Sequence, residues 1–271
     1  MNLINGVAGD ALDAQDRGLA YGDGVFRTFL MRGGKPLGWG RQYAKLAADC
    51  AALRIPCPAG SAFERDLAVA ALSESDCVVK IIVTRGCGPR GYAIPVPTLP
   101  TRALSTSALP GHPQDNYERG VRAHLCRLRL AAQPALAGIK HLNRLENVLA
   151  RAEWTDPGIA EGLLCDTDDN AIGGTMSNLF VVKDGVLFTP DLARCGVAGV
   201  TRERVLELAH ENKMPVRIAA ISIDELLGAD ELFLTNSVIG VWQIAMLDRK
   251  TWSRGDITAQ IRRWLNHAQD R

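Results

Sequence analysis

Apolar and polar positions alternate in short runs through much of the chain, with a few stretches of helical period between them. Val25-Phe26-Arg27-Thr28-Phe29-Leu30, entered through Tyr21-Gly22-Asp23-Gly24, predicts a strand whose two-residue period sets Phe26 and Thr28 opposite Arg27. Tyr43, Leu46, Cys50 and Leu53 predict an amphipathic helix over 40–54, with Arg41 and Lys45 four apart and Ile55-Pro56 ending it. A second helix over 61–73, a buried strand over 77–84 and a glycine-rich loop from Arg85 to Tyr92 follow. Proline and glycine concentrate again over 109–116, the best linker in the chain. A boundary there gives a smaller N-terminal α/β domain, 1–110, and a larger C-terminal domain, 111–271.

In the second domain a strand is expected over 121–130. A helix beginning at Lys140 should follow, with Leu142, Leu145, Val148, Leu149 and Ala152 on one face. A short strand lies around 163–165. Lys183-Asp184-Gly185 between two apolar runs carries the Asp-Gly signal of a β-hairpin. Gly196 to Arg202 opens a helix running to about His210, Glu231 to Ser237 is a strand with a polar end, and 256–267 is a last amphipathic helix.

Charge narrows the choice of partners. Lys and Arg number 31 against 30 Asp and Glu, so no bulk field attracts nucleic acid or an anionic membrane, and any anion must be recognised locally. A small-molecule substrate is the expected partner. The seven cysteines are odd in number and scattered without a C-x-x-C pair, which suggests reduced thiols and no metal site. With no signal-like start and no membrane-spanning apolar run, a soluble cytoplasmic protein is expected.

Three segments could carry chemistry. In Ala137-Gly138-Ile139-Lys140-His141-Leu142 a lysine interrupts an apolar run, where it either snorkels to water or, partly desolvated, becomes a nucleophile able to form Schiff bases. Arg85, Arg90 and Tyr92 on their glycine-rich loop either hold a carboxylate or are merely solvated. The helix start at Gly199-Val200-Thr201-Arg202 suits a phosphate, or is simply capped by threonine.

Tyr21-Gly22-Asp23-Gly24-Val25-Phe26, Gly138-Ile139-Lys140-His141-Leu142-Asn143-Arg144-Leu145-Glu146, Ser177-Asn178-Leu179-Phe180, Gly199-Val200-Thr201-Arg202 and Thr235-Asn236-Ser237 occur in an order that decides among these readings. Taken together, the chain resembles the aminodeoxychorismate lyases of the fold-type IV pyridoxal-phosphate family, over nearly its whole length. The resemblance implies a two-domain α+β/α/β fold like that of D-amino-acid aminotransferases, with the cofactor lysine in the larger C-terminal domain. It further implies pyridoxal 5'-phosphate as cofactor, a homodimer, and conversion of 4-amino-4-deoxychorismate to 4-aminobenzoate and pyruvate in folate synthesis. Lys140 is then the Schiff-base lysine and general base, with Val200, Thr201 and Ser237 at the phosphate.

Two positions depart from the family pattern. Lys45 stands where an arginine usually grips the phosphate, and Gly173 where a glutamate usually meets the pyridine nitrogen, leaving a hydroxyl such as Thr175 as one possible partner. Thr28 is a candidate proton donor to the leaving group, with Lys140 itself the competing one, and Arg27, Arg90 and Tyr92 are candidates for the substrate carboxylates. The rival readings are a branched-chain or D-amino-acid aminotransferase, disfavoured by Gly173, and a non-catalytic binding protein on the same fold, disfavoured by intact Lys140.

Overall fold

The computed structural model describes residues 1–269. They divide into two compact units, Met1–Pro110 with Ile139–Asn143, and Gly111–Gly138 with Arg144 onward.

The first unit is built on six strands: β1 (Asn2–Ile4), β2 (Val7–Ala8), β3 (Gly24–Arg32), β4 (Lys35–Pro36), β5 (Cys77–Thr84) and β6 (Thr101–Ser107), ordered β2-β1-β6-β5-β3-β4. Its helices are α1 (Arg17–Tyr21), α2 (Trp39–Ala52) and α3 (Gly60–Ser73). β3 and β5 pair antiparallel from Gly24↔Thr84 to Met31↔Cys77. Alternation along β3 buries Val25, Arg27, Phe29 and Met31 and leaves Phe26, Thr28 and Leu30 half-buried. Val25, Phe29 and Met31 join Leu46, Cys50, Phe63 and Leu67 in one core, which removes a continuous apolar surface from water.

The segment around Lys140 differs from expectation. The helix expected to begin at that lysine, α5, covers only Leu145–Arg151. Residues 139–143, assigned by sequence to the C-terminal domain, are extended and belong to the first unit. Phe26 N–H donates to the Lys140 carbonyl at 3.0 Å and Leu142 N–H to that of Gly24 at 2.9 Å, with Val25 bridged antiparallel to His141. The run Gly138-Ile139 thus ends in an added edge pairing on β3, and Ile139 packs in its core. Gly22, at φ 65°, permits the close approach of Asn143, whose Oδ1 would lie 2.3 Å from an added Cβ.

The second unit carries α4 (Asp115–Glu118), β7 (Val121–Leu130), α5, β8 (Ile159–Asp166), β9 (Ala171–Gly174), β10 (Asn178–Lys183) and β11 (Val186–Pro190). It continues with α6 (Val200–Glu211), β12 (Val216–Ala219), α7 (Ile223–Leu227), β13 (Glu231–Asn236), β14 (Gly240–Leu247), β15 (Lys250–Thr251) and α8 (Asp256–Gln269). Strand order is β12-β11-β10-β13-β14-β7-β8-β9, and a β9–β10 pairing closes six of these strands into a barrel. The β10–β11 hairpin turns on Asp184 and Gly185, both at positive φ as a tight turn requires. Leu163, Leu179, Leu234 and Trp242 fill one cluster of the core, and Phe180 stacks on Phe233 in another, beneath α6 and α8.

Candidate active site

In the first unit, the pairing of residues 139–143 with β3 sets Lys140 beside Phe26, its Nζ 4.5 Å from the ring centroid. The ring face attracts an ammonium while excluding water from it. On the other face of β3, Arg27 is 2% exposed and its Nη2 donates to Asp49 of α2. Burial pulls the Arg27 guanidinium down from its ordinary pKa, and the Asp49 carboxylate opposes the shift. Lys45, one helical turn before Asp49, donates its ammonium to the same carboxylate. Asp49 also accepts the Lys140 backbone N–H at 3.2 Å.

The remaining candidates of this unit are spread over its surface. Thr28 lies on the half-buried face of β3, in register with Lys80. Arg90 is exposed, and Tyr92 is 85% exposed with its ring 5.4 Å from that of Tyr21. Two buried arginines serve that region: Arg85, bonded to Asp23 at 2.7 Å and to the carbonyls of Leu53 and Arg54, and Arg17, bonded to Asp23 at 2.9 Å and to the Gly91 carbonyl at 2.8 Å, so both charges are spent on holding the turn and loop.

The second unit gathers a separate set around the start of α6. Gly199 is the helix N-cap and, being glycine, supplies no side-chain cap; Val200 and Thr201 begin the helix. The Thr201 and Ser237 hydroxyl oxygens are 3.3 Å apart. Asn178 orders the approach to the helix, accepting from the Gly199 N–H at 3.1 Å and donating to the Val197 carbonyl at 2.7 Å. Backbone N–H groups, the helix dipole and two hydroxyls make a donor set suited to a phosphate dianion.

Thr175 lies in the tight connection between β9 and β10, which is built around a buried carboxylate that sequence reasoning missed. Glu161 of β8 is 1% exposed. Its Oε1 accepts from the Gly162 N–H at 3.0 Å, the Thr175 N–H at 3.1 Å and the Thr175 hydroxyl. Its Oε2 accepts from the Met176 N–H at 3.2 Å and the Ser177 hydroxyl at 2.8 Å. Burial pushes the Glu161 pKa up, and the donors hold it back. The same connection is anchored by Asn147, which donates to the Thr175 carbonyl at 2.8 Å, and by Asn236, which donates to that of Met176 at 3.1 Å. Ser237 directly follows Asn236, so the Glu161-centred turn and the hydroxyls at α6 are joined through that stretch of chain. At Gly173 an added Cβ would sit 3.0 Å from the Ser177 carbonyl oxygen.

Residues 24–247 match the amino-transferase class IV family. The chain belongs to that family. It is 37% identical to an aminodeoxychorismate lyase of Vibrio harveyi over 89% of both chains. It is 45% identical to the 4-amino-4-deoxychorismate lyase of Pseudomonas aeruginosa, whose crystal structure it matches over 100% of both chains with a TM-score of 0.95. The branched-chain amino acid aminotransferase of Escherichia coli shares the fold, with a TM-score of 0.83 at 22% identity over 97% of this chain and 92% of that one. The fold is therefore that of the two-domain fold-type IV enzymes, as the resemblance implied. Among the described residues no group of three or more His, Cys, Asp or Glu could hold a metal ion, and no helix is long and apolar enough to cross a membrane.

Proposed function

We propose that this protein is a pyridoxal-phosphate-dependent lyase that converts 4-amino-4-deoxychorismate into 4-aminobenzoate and pyruvate, a step of folate synthesis. The observation carrying this reading is the full-length likeness to the Pseudomonas aeruginosa lyase, at 45% identity against 22% for the Escherichia coli aminotransferase. The residues present fit the cofactor: a lysine amine against an aromatic face, and a helix start with glycine at its N-cap and two neighbouring hydroxyls.

In this reading Lys140 holds the aldehyde carbon of the cofactor. Val200, Thr201 and Ser237 hold its phosphate, and Lys45 contributes positive charge in place of an arginine fork. Thr175 is available to the pyridine nitrogen, with its own hydroxyl proton directed at Glu161. When bound, the cofactor supplies an electron sink for the carbon that loses a proton. Lys140 would take that proton as general base. Thr28 or Lys140 itself gives a proton to the departing enolpyruvyl oxygen, and Arg90 and Tyr92 are the candidates for the two substrate carboxylates; Arg27, buried on the opposite face of β3 and paired with Asp49, is committed to that ion pair instead. Aromatisation of the product ring lowers the demand on the electron sink, which is consistent with glycine at 173.

We also propose a homodimer in the cytoplasm. Leu145, Val148 and Leu149 of α5 are 75%, 60% and 60% exposed, an apolar stripe suited to a second copy, and all seven cysteines are free thiols. The deciding experiment incubates the purified, cofactor-loaded protein with aminodeoxychorismate and measures 4-aminobenzoate, beside a transamination assay with common amino acids. We expect aminobenzoate release, and loss of both this and the near-visible cofactor band in Lys140→Ala. Transamination without aminobenzoate would overturn the assignment.

A further inference from the structure

Asp49 is 1% exposed and binds groups from three parts of the first unit: the guanidinium of Arg27 on β3, the ammonium of Lys45 on its own helix, and the backbone N–H of Lys140. Oδ2 is shared by Arg27 and the Lys140 N–H, and Oδ1 takes Lys45. The buried thiol of Cys50, itself next to Cys57, also lies against it. A buried ion pair is by itself weak evidence for stability, because desolvating both charges offsets their attraction. The Arg27 Nε is buried without a partner, so the guanidinium is not optimised for packing. What the arrangement does accomplish is to tie two cations and one anion to the backbone of Lys140, leaving one positive charge in excess beside that residue.

We propose that Asp49 is a positioning residue for Lys140: it anchors the lysine's backbone and, with Arg27 and Lys45, sets the net charge that the lysine amine experiences. This rests on the reading of Lys140 as the reactive lysine. Asp49→Asn keeps a hydrogen-bond acceptor for the Lys140 N–H but leaves two cations uncompensated, which disfavours a protonated amine. Lys45→Gln removes one cation and acts in the opposite direction.

The test uses the cofactor-free full-length chain. Lys140 is acetylated with acetic anhydride across a pH series and its labelling is read by mass spectrometry. Asp49→Asn should move the pH midpoint down by about one unit, and Lys45→Gln should move it up by about half a unit or more. Shifts of opposite sign are beyond a merely structural role. An unmoved midpoint in either variant, or shifts of the same sign, overturns the proposal; if Asp49→Asn does not fold, Lys45→Gln decides alone. Persistence of the near-visible band in cofactor-loaded Lys140→Ala would instead overturn the reading of Lys140 itself, so the two failures are distinguishable.

Discussion

Replacing Glu161 tests whether the turn carrying Thr175 is held by one carboxylate. Two of its five donors are hydroxyls, which can rotate toward other partners, and the Thr175 N–H also donates to the Gly162 carbonyl at 2.9 Å, so the N–H groups of Gly162 and Met176 are the fixed donors that depend on the carboxylate. Each buried donor left unsatisfied costs about 1–3 kcal/mol. Glu161→Ala should therefore lower folding stability by about 2 kcal/mol or more. Glu161→Gln should do less damage, because its amide nitrogen can take the Oε2 position, where it opposes a single backbone donor, Met176, and can donate to the Ser177 hydroxyl. One unsatisfied N–H then predicts a loss of about 1–3 kcal/mol. The pH dependence has a definite sign. Burial raises the folded-state pKa of Glu161, so its contribution to stability is fully present below the unfolded carboxylate value and is lost as pH rises through the folded value. Glu161→Gln should remove that decline. Urea denaturation at several pH values reads both effects, and losses below ~0.5 kcal/mol in both variants would refute the account.

Two further substitutions probe the assembly around it. Gly199→Ala would place a Cβ 2.3 Å from the Asn178 Oδ1, displacing the side chain that orders the start of α6, and should weaken pyridoxal phosphate about tenfold in a fluorescence titration; unchanged affinity would remove Asn178 from the phosphate account. Gly173→Glu must push against the Ser177 carbonyl and should not improve the lyase, so a rise in turnover of more than about tenfold, or ~1.4 kcal/mol of barrier, would show that the missing glutamate is a defect.

How far the sequence discloses this site depends on whether a residue's neighbours lie along the chain or across it. The face of Arg27 follows from strand alternation, and the β10–β11 hairpin from Asp184-Gly185, because both are local rules. Helical period likewise identifies α5, but not that pairing with β3 keeps Lys140 extended and delays the helix to Leu145, nor that its apolar stripe faces outward. Period reports that a stripe exists and is silent about what covers it. Asp49 lies 22 residues from Arg27 and 91 from Lys140, so no spacing joins them. Yet it falls three positions after Leu46 on the buried face of α2, and an acid at such a position calls for a cation from another element. Glu161 offers the same clue within an apolar strand, 14 to 16 residues before four of its five donors. In both cases the legible signal is an acid where burial demands compensation. The motif residues mark where a cofactor would be touched, and these two carboxylates, which belong to no motif, hold the backbone that presents them.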